Sequence, residues 1–144
     1  MSHWTRVVVL ALLLFGCASR TGGGIGDLPG PEPASVVEQF LLAANANDWQ
    51  MMGNLFGNEA GPIIGRDPRR EVEQRMFIMA SILRHDAREL QSEGMVAGRV
   101  GEARRVVMGM QFGQRRIAVP FVLVRSRRGT WLIEQIDLEA ITRG

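Results

Sequence analysis

Hydrophobic positions recur at helical spacing from residue 34 to about residue 84. Val36, Val37, Phe40, Leu41 and Ala44 form one stripe, which predicts a helix from Val36 to Ala46. Ser35-Val36-Val37-Glu38 at its start reads as a capping box. Asp48 is placed to cap a second, shorter helix, Trp49 to Phe56, with Trp49, Met52, Leu55 and Phe56 on its buried side. Gly57 to Arg66 holds three glycines and Pro62 and predicts a loop. Asp67-Pro68 marks the start of a third helix reaching Arg84, with Asp67 as cap and proline at the first helical position. Val72, Met76, Met79, Ala80 and Leu83 give it a buried stripe, widened by Phe77 and Ile82.

After His85 the period changes to two. Ala87 to Ala97 predicts a weakly patterned strand. Arg104 to Phe112 alternates clearly, with Val106, Met108, Met110 and Phe112 on one face. Gly113-Gln114 suits a two-residue hairpin, followed by a strand from Arg115 to Arg125. That turn sets a register in which Met110 meets Ile117, Met108 meets Val119 and Val106 meets Phe121. The reverse face pairs Gly109 with Ala118 and Val107 with Pro120; it is small and flat, open to solvent or to a partner such as a second copy. Pro120 within a strand predicts a bulge, a bend or an edge. A last strand covers Thr130 to Leu138, with either Trp131 and Ile133 or Leu132 and Ile136 turned to the core. Helices followed by strands predict an α+β domain over residues 34–144, three helices on about four antiparallel strands.

The first 33 residues follow another pattern. Arg6 precedes a nine-residue apolar run, Val7 to Phe15, too short to cross a hydrocarbon core of ~30 Å as a helix. Leu14-Phe15-Gly16-Cys17 closes it and resembles the lipobox of bacterial lipoprotein signals, with Phe15 bulkier than usual. The resemblance implies a signal over residues 1–16, cleaved to leave an acylated, palmitate-bearing Cys17 that anchors the chain in a membrane. Cys17 is the single cysteine, so no disulfide competes for it. Ala18 and Ser19 follow without an aspartate, which in that family implies the outer membrane, periplasmic face, where there are two membranes. Residues 17–33 are rich in Gly and Pro and read as a flexible tether.

All 17 basic residues are arginine, yet the formal net charge is only +2. This balance excludes nothing about fold and does not indicate a nucleic-acid partner. Arg99, Arg104, Arg105, Arg115, Arg116, Arg125, Arg127 and Arg128 fall at strand ends and turns, as a solvated rim or as contacts for anionic envelope groups.

Phe40-Leu41-Leu42-Ala43-Ala44, then Asn47-Asp48-Trp49 and Leu55-Phe56, resembles the opening of nuclear transport factor 2-like domains; Arg128-Gly129-Thr130-Trp131-Leu132-Ile133 resembles their final hairpin. The likeness implies a curved sheet wrapped on helices, with a pocket between them. Trp49, Phe56, Met76, Met108, Phe121 and Trp131 are then the candidate pocket lining, for a small apolar ligand, and an envelope protein is the alternative partner. The superfamily includes isomerases, dehydratases and cyclases, so an acid–base enzyme is the competing reading. His85 and Asp86 are its catalytic candidates, although His85 also suits a helix end. The isomerase machinery uses an aromatic hydroxyl, and this chain has no tyrosine. No metal or cofactor motif is present: one histidine follows Cys17, and no phosphate-binding glycine run precedes a helix.

Overall fold

Proline and glycine positions set where the elements begin and end. The computed structural model of the chain describes residues 31–99 and 101–143. The expectations for the signal, for Cys17 and for most of the tether therefore lie outside the described residues. The elements are α1 (Pro33–Ala46), α2 (Trp49–Leu55), β1 (Gly57–Asn58), β2 (Gly61–Pro62), α3 (Arg69–Leu83), β3 (Ala87–Met95), β4 (Ala103–Phe112), β5 (Arg115–Arg125), β6 (Trp131–Ile136) and α4 (Glu139–Thr142). The class is α+β. The main sheet is a four-stranded antiparallel meander in the order β3-β4-β5-β6.

Two helix starts differ from expectation. Helix α1 begins at Pro33, whose fixed φ is already helical, so Ser35 and Glu38 fall inside the helix and form no capping box. Glu38 instead accepts from Arg88 Nε of β3 at 2.7 Å. At α3, Pro68 is extended (ψ 130°) and is itself the cap position. The Asp67 carboxylate lies near Arg66 and Arg75 rather than on a helix N–H. Asp48 does cap α2, accepting from Met51 N at 2.9 Å. Three further elements lie outside the expected set: β1 and β2, a hairpin inside the 57–66 loop, and α4.

The β4–β5 register is the one the Gly113 turn predicts, from Phe112 opposite Arg115 through Met110–Ile117, Met108–Val119 and Val106–Phe121. The bulge falls between Val122 and Leu123, in the pairing of β5 with β6. It resolves the ambiguity of the last strand. Ile133 opposes Leu123 and Trp131 opposes Arg125 before the shift, and Ile136 opposes Phe121 after it, so all three share the core face. Ala103, Val124 and Leu132 are buried on the reverse face, which is therefore only partly flat and open.

One cluster joins the layers. Phe40 and Leu41 of α1, Met52 of α2, Met76 and Leu83 of α3, and Met108, Phe121, Leu123 and Ile133 of the sheet all lie in it, fully buried. The edge of β6 is partly covered by the parallel bridge from Phe56 to Ile133. On β3 nearly every residue is exposed, although Arg88, Leu90 and Met95 share the face that bears Met110, Met108 and Val106. Among the described residues no helix is long and apolar enough to cross a membrane.

Candidate functional site: a groove between two helices

Gly53 brings α2 against α3. A Cβ placed there would lie 3.0 Å from a methyl of Val72 and 3.5 Å from Ile64, so only glycine permits this approach without a shift. Ile64 N donates to Gly53 O at 3.2 Å and holds the following loop in place. Gly65, with φ at +77°, then turns the chain towards α3. The result is an open groove of about 660 Å³, within the range of small-molecule sites. Trp49, Ile64 and Val72 supply its apolar wall, and Asp48, Asp67, Arg69 and Glu73 its rim.

The rim is charged but internally matched. Arg69 Nε donates to Glu73 at 2.7 Å, and Asp67 lies 3.6 Å from Arg66 and 3.5 Å from Arg75. The hydrogen bond to Glu73, and then its charge, hold the fully exposed Arg69 guanidinium above its ordinary pKa, so it stays cationic. With its carboxylates thus occupied, the groove suits an apolar or aromatic body with a polar edge better than a free ion. Trp49 is half-buried, its ring edge-on to Phe77 at 5.7 Å and 85°. Its indole Nε1 is buried without a hydrogen-bond partner among the described residues. An unmet donor in an apolar wall is costly, of the order of 1–3 kcal/mol.

The other candidates are placed as follows. Met76, Met108 and Phe121 are 0% exposed, so no water-sized space touches them and the interior is filled there. Phe56 and Trp131 pack against the same cluster, half-buried. Arg125 lies over the Trp131 ring at 5.9 Å, a cation–π contact. Of the six lining candidates only Trp49 borders the groove.

His85 and Asp86 are not brought together. His85 is buried, and its Nδ1 lies 2.8 Å from Leu83 O. A carbonyl can only accept, so Nδ1 carries the hydrogen and Nε2 faces Arg88 Nη1 at 3.4 Å as an acceptor. Asn45 grips the same residue's backbone, donating to His85 O at 3.0 Å and accepting from His85 N at 3.2 Å. Asp86 points elsewhere and accepts from Gly113 N at 2.7 Å, bracing the β4–β5 turn. The arrangement is a latch between α1, the end of α3 and β3. Asn45, Glu38 and Arg88 are its members that a sequence reading misses, because they lie 40 to 50 residues from their partners. The groove residues Ile64, Val72, Arg69 and Glu73 carry no motif either; the glycines at 53 and 65 are the available signal.

A second concavity, of about 490 Å³, lies on the reverse face of the sheet between Arg105, Pro120, Gln135 and Glu139. Among the described residues no group of His, Cys, Asp and Glu is placed to hold a metal ion.

No protein-family model matches the chain, and no curated protein does. Among solved structures the chain is similar to one from Shewanella frigidimarina, described as a "putative ketosteroid isomerase". The two share 11% identity with a TM-score of 0.46, over 70% of this chain and 89% of that one. A likeness this slight carries no argument about what this chain does.

Proposed function

We propose that this chain is a lipid-anchored protein of the bacterial cell envelope, held through Cys17, and that its α+β domain is of the nuclear transport factor 2-like kind. On this reading the domain works by binding, as a ligand-binding or scaffolding module, and not by acid–base chemistry in a cone pocket. The observation that carries the reading is where space lies. The residues that would line a cone, Met76, Met108 and Phe121, are packed shut, while the groove beside Trp49 stands open with an apolar wall and a satisfied rim. For His85 to act as a base, its Nε2 would have to leave Arg88 and be reached by a substrate at a buried position.

Two measurements test the two halves. Cells fed labelled palmitate should label the wild-type chain and not Cys17→Ser; equal labelling of both removes the anchor. Titration with a library of small amphipathic compounds, followed by NMR, should shift resonances of Trp49, Ile64 and Val72. Shifts centred instead on the methyls of Met108 and Met76 would mean that the cone opens, and would favour the isomerase, dehydratase or cyclase alternative.

A further inference from the structure

Helix α3 changes character halfway along. Its first half carries Arg69, Arg70, Glu71, Glu73 and Arg75; from Met76 to Leu83 there is no charge at all, until Arg84. Met76, Met79, Ala80 and Leu83 of that second half are buried. Phe77 and Ile78 point outward, 53% and 52% exposed. Phe77 packs against Trp49, which extends the apolar surface onto α2. Four other large apolar side chains are exposed among the described residues. Leu42 and Met51 belong to α1 and α2, and Leu90 and Met95 of β3 share the sheet face that the helices cover.

We infer that the Phe77–Ile78 face of α3 rests in the headgroup–acyl boundary of the membrane to which the chain is tethered. The inference builds on the lipid-anchor reading and adds an orientation to it: the helical layer faces the lipid. Three considerations favour lipid over a protein partner. The two half-exposed side chains offer on the order of 200 Å² of apolar surface, short of the roughly 500 Å² that each partner contributes even to a small stable protein interface. A tether makes the contact intramolecular, so a small surface suffices. Arg75 and Arg84 bound the uncharged run, where they can meet anionic headgroups. Reach is adequate. The 16 residues from Cys17 to Glu32 can extend to about 55 Å at most, whereas α1 is about 21 Å long and Trp49 follows just past its far end.

The test uses Trp49 as the probe. Signal cleavage removes Trp4, and Trp131→Phe then leaves it the sole tryptophan. The lipidated chain is reconstituted into phosphatidylethanolamine–phosphatidylglycerol vesicles, with plain or brominated acyl chains. The chain should float with both kinds of vesicle and lose Trp49 emission in the brominated ones. Phe77→Ser/Ile78→Ser should float equally and lose no emission. Both substituted positions are at the surface, so a melting temperature near that of the parent shows that the variant is folded. Three results overturn the inference: flotation without quenching, equal quenching of the double variant, or a solution dimer that the double variant abolishes. Failure to float would overturn the anchor itself, and this orientation with it; flotation without quenching leaves the anchor standing.

Discussion

His85 is held from three directions, by contacts that fix it in place at a buried position. Its ring bridges Leu83 O and Arg88, Arg88 continues to Glu38, and Asn45 clasps its backbone. Removing the Asn45 side chain leaves His85 N without its acceptor next to a buried ring. Asn45→Ala should therefore cost about 1–2 kcal/mol, read as a lower urea midpoint with an unchanged slope. A midpoint equal to wild type would mean that the latch contributes nothing. His85 stood out in the sequence because it is the single histidine of the domain. Its role was not legible, because every partner except Leu83 and Arg88 comes from α1. Asp48 was legible, since an N-cap is a local interaction three residues long. Glu38 misled for a related reason: the capping box is also local, but Pro33 starts α1 earlier and frees Glu38 for a distant arginine.

Elements here are fixed by close backbone approaches as much as by periodicity. The β1–β2 hairpin shows it. A Cβ on Gly57 would sit 2.3 Å from Gly61 O and 2.8 Å from Pro62 Cα, both backbone atoms that cannot swing aside. Gly57→Ala should destabilise by about 2–3 kcal/mol. Gly94→Ala, in β3, meets nothing within 4 Å and should be neutral or slightly stabilising. Urea unfolding of the pair checks this: equal midpoints would refute the argument. The two-residue strands were not legible, because three glycines and a proline carry no period. The β4–β5 hairpin was fully legible, because a two-residue turn leaves one register that keeps Met108, Met110, Val119 and Phe121 on one face. The β6 register was not, because a bulge is a property of two strands meeting and lets Trp131, Ile133 and Ile136 all face inward.

At the scale of the whole molecule, one cluster ties helices to sheet, and Phe121 lies within it at 0% exposure. Phe121→Ala should cost about 3–5 kcal/mol. Because helices and strands share that core, far-UV circular dichroism and tryptophan fluorescence should still report one coincident transition. Separate transitions would show that the helical layer folds apart from the sheet. The α+β class, the order of the first three helices and the four main strands, most of their bounds and the greasy face of the meander follow from the sequence alone. Each is read from spacing along the chain, where neighbours in sequence share one environment. The tertiary structure alone decided where space remains. Whether Met76, Met108 and Phe121 line a cavity or fill it depends on how side chains from different helices and strands meet, and they meet without a water-sized gap. That same packing leaves the open groove beside Trp49 and turns Phe77 and Ile78 outward, because α3 lies on α1 and α2 through one face only.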